Sequence, residues 1–147
     1  YVPQEPPLIE ELTVKDNLKL WGVWQSEHRE LLLSSFELEE LLKTEVRKLS
    51  GGMKRRLSIA CALAQWPPIL LLDEPTTALD LYYKDNIQQW LMQYRSMNGI
   101  VLLTSHDENE ILSCDRCLIM KQGKLTELTG EDLTIEGIRK EIITPDK

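Results

Sequence analysis

The sequence is poor in the features that mark secreted, membrane-spanning and nucleic-acid-binding proteins. Only three of its 147 residues are cysteine and no signal peptide is recognisable, which favours a reducing, cytoplasmic setting over a disulfide-stabilised scaffold. No apolar run approaches the ~20 residues that a membrane-spanning helix needs. Lys and Arg number 17 against 24 Asp and Glu, and the net charge of -7 argues against nucleic acid as a partner. The length suits one domain with its own core.

Two local features depart from this composition. Lys54, Arg55 and Arg56 form a local basic patch, which the negative net charge does not exclude. Cys114 and Cys117 have the C-x-x-C spacing of some zinc sites, but no second pair of Cys or His lies nearby to complete a ligand set. Core thiols at the start of a strand are therefore the better interpretation of these two cysteines.

A helix is predicted near the start of the chain. Thr13 and Asp16 resemble a capping box with Asp in place of Glu, which indicates that a helix begins there. We expect Leu18 to face inward, together with either Leu20 or Trp21.

Further helices are predicted before the first strand. Leucines interspersed with glutamates between residues 26 and 42 predict two short amphipathic helices. Ser50 is a natural N-cap for the next helix, which opens with Gly51 and Gly52. The inward-facing stripe of that helix is predicted to consist of Leu57, Ala60, Cys61 and Ala64.

Strands and helices alternate in the second half of the chain. Residues 69–72 and 100–103 are continuous apolar runs, which predict two strands buried on both faces, as in a parallel sheet. A helix from about Asp80 to Met97 is predicted between them, with Gly99 as its C-terminal cap.

A hairpin and a last helix are predicted toward the C-terminus. A short helix should follow the second strand, and residues 118–120 should form a further strand. Gln122 and Gly123 are suited to a hairpin turn before residues 124–128, and one helix is predicted near residues 136–142. The pattern indicates an α/β domain with a parallel sheet, preceded by an all-helical segment.

Polar side chains follow both apolar strands, at the ends where a parallel sheet binds ligands. Asp73 and Glu74 follow the first strand, and His106 lies just beyond the second. We expect Asp73 to hold Mg²⁺, which prefers oxygen ligands, and Glu74, pointing elsewhere, to take a proton from an attacking water. His106 is expected to contact a phosphate from the other strand end.

Two other segments could bind an anion or a metal. The helix that opens with Ser50, Gly51 and Gly52 has free N–H groups and partial positive charge at its N-terminus, and glycines let a phosphate approach the backbone closely. The side chain of Gln4 offers a carbonyl and an amide that can contact metal and water at once. A simply capped helix and an ordinary loop glutamine remain the alternatives for these segments taken alone.

Five motifs in order make the chain resemble the ATP-binding subunits of ABC transporters. The stretch "YVPQ" is similar to the Q-loop, "LSGGM" to the signature, "ILLLDE" to Walker B, "TALD" to the D-loop and "TSH" to the H-switch. The resemblance covers roughly residues 1–128, and Met53, where the family often has glutamine, is typical of some exporter-type ATPases. The segments "SGGMKRR" and "DEPTTALD" are most similar to those of exporter and ABC-2 drug-resistance ATPases.

The resemblance implies a fold and a set of site residues. The fold would be a partial P-loop NTPase core of RecA-like parallel-sheet type with an all-helical ABC subdomain. Residues 1–66 would hold the Q-loop, helical subdomain and signature helix, residues 67–128 the rest of the ATPase core, and residues 129–147 a tail. The implied catalytic residues are Glu74, His106 and Gln4; the nucleotide-binding residues are Ser50, Gly51, Gly52 and Asp80; the Mg²⁺ ligands are Asp73 and Gln4.

The resemblance also implies a function and partners. The parent protein would hydrolyse ATP with Mg²⁺ to drive transport across a membrane, with export as the expected direction. Its partners would be a transmembrane subunit and a second ATP-binding subunit arranged head to tail, with ATP between the Walker A loop of one and the signature of the other. The expected location is the cytoplasm, peripheral to the inner face of the membrane.

The phosphate-binding loop of this family is missing from the sequence. No G-x-x-x-x-G-K-[ST] occurs, and the only Gly-Lys pair, Gly123 and Lys124, lacks the rest of the pattern. We therefore expect the chain to correspond to the portion of such a subunit from the Q-loop onward, and to be inactive alone. The absent strand would leave unpaired sheet edges, which predict dimerisation or strand swapping, unless the slot closes by direct pairing. A monomeric mass by light scattering would contradict self-association.

Two alternatives stay open at this point. The chain could be a non-catalytic ABC-like interaction module that binds a partner without turnover. It could also belong to a soluble ABC-type ATPase that is not tied to transport, although the negative charge disfavours a ribosome-bound relative and the short helical insert disfavours a coiled-coil relative.

Overall fold

A computed structural model describes residues 1–77, 79–130 and 133–143 of the chain. It contains two compact units, one from Tyr1 to Thr104 and one that begins at Ser105. This division does not coincide with the boundaries predicted after residues 66 and 128, which therefore remain a prediction about functional segments. No helix of the described residues is long and apolar enough to cross a membrane.

Two helices of the first unit, α1 and α3, begin after the predicted capping residues Thr13 and Ser50. Their bounds are α1 Val14–Leu20, α2 Arg29–Ser35, α3 Gly51–Ala62 and α4 Leu81–Ser96. Short 3₁₀ turns lie at Val23–Gln25, Glu39–Leu41 and Val46–Lys48, so the second of the two helices predicted between residues 26 and 42 is wrong and is replaced by a single 3₁₀ turn. The side chains of Thr13, Ser50 and Asp80 accept hydrogen bonds from backbone N–H groups in the first turns of α1, α3 and α4. These caps satisfy donors that would otherwise lack partners at each helix start.

The inward face of α1 is narrower than predicted. Val14 and Leu18, four residues apart, are both fully buried, whereas Leu20 is 60% exposed and Trp21 43% exposed. The expectation that Leu20 or Trp21 faces inward is therefore wrong. Leu20 lies two residues beyond Leu18 and thus about 200° around the helix, and Trp21 is already the residue that ends it.

The predicted parallel sheet is present as two paired strands. β1 spans Ile69–Asp73 and β2 spans Ile100–Thr104, in parallel register from Ile69 opposite Ile100 to Asp73 opposite Thr104. Val2 forms a bridge along the other edge of β1, because its N–H donates to the carbonyl of Leu71 and its carbonyl accepts from the N–H of Asp73. The loop that carries Gln4 is thereby tied to the strand that ends at Asp73.

Burial of both strand faces, as predicted, is not observed. Leu70 and Leu72 of β1 are buried in the core, but Ile69 is 53% exposed and Leu71 39% exposed. On β2, Ile100 and Leu102 are also more than half exposed. The prediction of two covered faces is wrong for the residues that the structure describes, because exposed residues alternate with more buried ones along both strands.

The core of the first unit lies between α3, α4 and the buried sheet face. The four residues of the predicted stripe, Leu57, Ala60, Cys61 and Ala64, are all buried, although Ala64 lies in the turn that follows α3. Phe36 and the rings of Trp90 and Tyr94 on α4 complete the cluster. Burial raises the pKa of the Cys61 thiol to about 12, so this thiol stays protonated at neutral pH.

The second unit contains the predicted hairpin and last helix. Its elements are α5 Glu108–Leu112, β3 Cys117–Lys121, β4 Lys124–Leu128 and α6 Ile135–Ile143. β3 and β4 are antiparallel, and Gln122 and Gly123 both have positive φ, as a two-residue hairpin turn with right-handed strand twist requires. Cys114 and Cys117 are free thiols whose pKa values burial raises.

The end of α4 is closed by two residues with different roles. The N–H of Asn98 donates to the carbonyl of Arg95 and that of Gly99 to the carbonyl of Tyr94, which is the Schellman pattern. Asn98, with φ 66°, takes the left-handed position, so Gly99 is part of the cap without being its left-handed residue. Gly99 is needed for another reason, since a Cβ there would overlap the ring of Tyr94.

Replacing Gly99 with alanine is therefore expected to destabilise the protein. The new methyl group would displace the buried Tyr94 ring, and such overpacking costs about 1–3 kcal/mol. The midpoint of urea unfolding, compared with wild type, measures the effect. Gly51→Ala is the matched control, because nothing lies within 4 Å of a Cβ there. Equal midpoints for the Gly99→Ala variant and wild type would contradict the close approach of Tyr94.

Candidate functional site

The carboxyl ends of β1 and β2 place two carboxylates beside a threonine. Asp73 is the last residue of β1 and lies opposite Thr104 on β2. The hydroxyl of Thr104 donates to Oδ1 of Asp73 at 2.6 Å, and the N–H of Glu74 donates to the carbonyl and hydroxyl oxygens of Thr104. The orientation of both acidic residues thus depends on the second strand.

Asp73 and Glu74 are held by different neighbours. Glu74 has φ 49°, a left-handed conformation that side chains rarely adopt and that costs roughly 1–2 kcal/mol. Its Oε2 accepts from the hydroxyl of Thr77 at 2.7 Å, whereas Oδ2 of Asp73 has the hydroxyl of Tyr1 at 3.4 Å. The predicted divergence of the two carboxylates agrees with these separate partners.

Gln4 lies two residues beyond the bridge that joins Val2 to β1. Its side chain is exposed, and its carbonyl oxygen lies 3.4 Å from Nη1 of Arg55, which donates to it. The structure therefore brings the Gln4 loop to the end of the strand that carries Asp73, within the same compact unit.

Arg55 is the residue of this region that sequence reasoning missed. Within the local basic patch, Arg55 and Arg56 are only 4% and 3% exposed, whereas Lys54 is partly exposed and pairs with Glu10. Their spacing offered a signal, because both lie four residues before Ile59 and Ala60, which are buried.

The two buried arginines bind different parts of the first unit. The guanidinium of Arg55 donates to backbone carbonyls of the Gln4 loop and of the segment that follows β1. Arg56 donates to the carbonyl of Phe36 and the carboxylate of Glu37, and its guanidinium lies 4.2 Å from the ring centre of Tyr83. Each guanidinium thus donates to oxygens inside the fold, although Nε of Arg56 is buried without a hydrogen-bond partner among the described residues.

The signature residues form the exposed start of α3. The hydroxyl of Ser50 accepts from the N–H of Met53 at 3.2 Å, and Gly51 has open space around it. A Cβ on Gly52 would lie 3.1 Å from Leu79, so this position is restricted by a neighbouring segment. A helix N-terminus of this kind presents N–H donors to an anion, as the sequence analysis expected.

Asp80 and His106 are the remaining predicted site residues. The carboxylate of Asp80 accepts from the N–H of Tyr83 at 3.1 Å and caps α4, which is a structural role. His106 is exposed and belongs to the second compact unit, so its predicted place at the end of the sheet stays a prediction.

The comparisons with known proteins agree with this arrangement. The family profile described as "ABC transporter" matches residues 1–77, more than half of the chain. We call the end of β1 at Asp73 and Glu74 the Asp73–Glu74 corner. Together with the parallel strands and the profile match, it identifies an ABC-type ATPase domain. The chain belongs to the ABC transporter family, whose ATPase domains bind ATP.

Several relatives with curated names are exporters or resistance proteins. The lipopolysaccharide export system ATP-binding protein LptB of Acidithiobacillus ferridurans is 34% identical over 100% of this chain and 65% of its own length. The Nod factor export ATP-binding protein I of Sinorhizobium fredii is 39% identical over 97% of this chain and 44% of its own length. The linearmycin resistance ATP-binding protein LnrL of Bacillus subtilis is 36% identical. The chain thus spans less than two thirds of each of these relatives.

Solved structures show the same fold. The ATP-binding cassette MJ0796, described as a dimer in a post-hydrolysis state bound to ADP and Pi, superposes with a TM-score of 0.76 at 30% identity. The match covers 88% of this chain and 62% of that one. The predicted α/β ABC ATPase fold, in partial form, is therefore confirmed.

Removal of the Thr104 hydroxyl is expected to weaken the end of the sheet. Thr104→Val deletes the donor to Asp73 and one acceptor for the N–H of Glu74, which should cost about 1 kcal/mol of unfolding free energy. Thr104→Ser keeps the hydroxyl and serves as the matched control. Urea unfolding of both variants measures the difference. A serine variant as unstable as the valine variant would show that the hydroxyl is not responsible.

Proposed function

We propose that this chain carries part of the ATP-hydrolysing centre of an ABC exporter. The observation that carries the proposal is the corner formed by Asp73 and Glu74, which Thr104 supports on one side and the Gln4 loop flanks on the other. The export and resistance functions in the names of relatives favour export as the direction of transport. The phosphate-binding loop would be supplied by residues outside this chain.

The oxygen donors at the corner fit a magnesium ion. Mg²⁺ at nucleotide phosphates uses one or two carboxylates or amide oxygens and keeps several waters. The carboxylate of Asp73 and the side-chain carbonyl of Gln4 would hold the ion, which would neutralise phosphate charge. Glu74, with its separate orientation, would accept the proton of the attacking water. His106 would contact the γ-phosphate.

The signature segment would act on a second nucleotide site. Ser50, Gly51 and Gly52 would offer their N–H and hydroxyl groups to the phosphates of ATP held by another subunit, with Asp80 nearby in that interface. Two solved relatives are described as dimers, which supports pairing with a second ATP-binding subunit. The other partner would be a transmembrane subunit, with the protein at the cytoplasmic face of the membrane. Self-association through free sheet edges stays a prediction.

A non-catalytic interaction module is the second candidate. It is favoured by the absence of a phosphate-binding loop from the sequence and by the exposed Leu20 and Trp21, which offer apolar surface for a partner. ATP turnover by the full-length protein distinguishes the two functions, because a module would bind its partner without hydrolysis.

Replacement of Glu74 by glutamine in the full-length protein is expected to lower ATP turnover by about 10²–10⁴-fold, because the amide cannot accept the proton of water. ATP binding should persist, since Glu74 is not proposed to hold phosphate or metal. Steady-state phosphate release and equilibrium nucleotide binding measure the two effects.

The control for that experiment is Glu30→Gln, which makes the same chemical change at an exposed residue paired with Arg29. Its turnover should equal that of wild type. Unchanged turnover in the Glu74→Gln variant would contradict the assignment of Glu74 as the general base.

The 147-residue chain alone is expected to hydrolyse no ATP above background. Without the backbone cradle and lysine of the missing loop, the β- and γ-phosphates lose most of their contacts. Phosphate release by this chain, measured beside the full-length protein at equal concentration, checks the expectation. Turnover by the isolated chain at a rate near that of the full-length protein would show that the loop is dispensable.

A further inference from the structure

Arg55 occupies the place where hydrogen bonding between Val2 and β1 stops. The N–H of Val2 donates to the carbonyl of Leu71, and the N–H of Asp73 donates to the carbonyl of Val2. In a parallel ladder the next two bonds would run from the N–H of Gln4 to the carbonyl of Asp73 and from residue 75 to the carbonyl of Gln4. Residue 75 is a proline, so the second of these bonds cannot form.

The guanidinium of Arg55 supplies donors to the same two carbonyls. Nη2 donates to the carbonyl of Asp73, and Nη1 donates to the carbonyls of Pro3 and Gln4. Nε donates to the carbonyl of Pro75 at 3.1 Å. One planar group therefore bridges the two backbone segments beyond the point where they pair directly.

This bridge is shielded from water and has a fixed donor geometry. Arg55 is 4% exposed, so little water competes for its N–H groups. A guanidinium has five donors in a fixed plane, and a lysine ammonium cannot reproduce that geometry. The spacing between the backbone of Gln4 and that of Asp73 is consequently set by the width of the guanidinium.

We propose that Arg55 is a positioning residue for the Mg²⁺ site, which sets the distance between the Gln4 loop and the Asp73–Glu74 corner. The inference rests on the proposed function, because it takes Gln4 and Asp73 as the residues that hold the metal. Arg55 acts through their backbones and touches neither metal nor nucleotide. Loss of the bridge lets the Gln4 loop move away from Asp73, so metal affinity and the chemical step suffer more than nucleotide affinity.

The first test uses three variants of the full-length protein: Arg55→Gln, Arg55→Lys and Lys54→Gln. ATP turnover is measured as a function of Mg²⁺ and of ATP concentration. For Arg55→Gln the Mg²⁺ concentration at half-maximal rate should rise, and kcat should fall, each by about tenfold or more, while KM for ATP changes much less. Arg55→Lys should be intermediate, because it keeps the charge and some donors.

Lys54→Gln is the matched control, because it removes a positive charge from the neighbouring position, where Lys54 contacts only the carboxylate of Glu10 among the pairs described above. Its kinetics should equal those of wild type. The inference is overturned if Arg55→Gln leaves both kcat and the Mg²⁺ requirement unchanged, or if Lys54→Gln alters them equally. A general loss of folding would instead lower the active fraction and kcat without moving the Mg²⁺ midpoint, and this result also counts against the inference.

A second measurement keeps the inference separate from the proposed function. Amide hydrogen exchange of the full-length protein without nucleotide is followed in peptides that cover residues 1–8 and 70–77. Faster exchange in both peptides for Arg55→Lys, but not for Lys54→Gln, supports the bridge, and unchanged exchange overturns it. If wild type shows no Mg²⁺-dependent turnover, the proposed function fails, and the metal-positioning role fails with it whatever the exchange result.

Discussion

The alternation of hydrogen bonds along β1 is the constraint on which the rest of the site depends. In a parallel sheet each residue of a strand bonds to one neighbour, and the next residue bonds to the other. On β1, Leu71 and Asp73 bond to Val2 along one edge, while Glu74 continues the pairing with β2 along the other. The backbone N–H of Asp73 therefore bonds to Val2, at the start of the Gln4 loop, and its carboxylate accepts a hydrogen bond from Thr104. A shift of either edge would move the carboxylate, because both edges meet at this one residue.

The second organising feature is the burial of two positive charges on α3 against oxygens of three other segments. Buried charges are costly unless they are hydrogen-bonded, and here the partners are mainly backbone carbonyls near prolines or chain reversals, while Nε of Arg56 is left without a described partner. α3 thus serves as an apolar core helix through its central turns and as a source of donors through Arg55 and Arg56. The signature segment at its N-terminus is fixed to the Asp73 corner through the same helix.

The parts of the fold that depend on local chemistry could be predicted from the sequence. Ser50 and Asp80 cap their helices because an N-cap bond involves residues only three apart. The hairpin at Gln122 and Gly123 is equally local, since the turn itself selects residues that tolerate positive φ. The predictions that failed all concerned which neighbour covers a surface. Ile69 on β1 is apolar but exposed, and Arg55 on α3 is charged but buried. Residue type favours burial or exposure, but the segments that pack against a side chain determine which of the two occurs.

By itself the sequence determined the order of helices and strands, the caps, and the identity of the carboxylates at the strand end, because each of these follows from residue type and spacing along the chain. Only the tertiary structure decided that Thr104 orients Asp73, that the Arg55 guanidinium bridges the two backbones beyond Val2, and that Ile69 and Leu71 of β1 are exposed. These features join residues that are far apart in the chain. No local preference encodes such contacts, since they exist only once the strands are in register and α3 has packed against them.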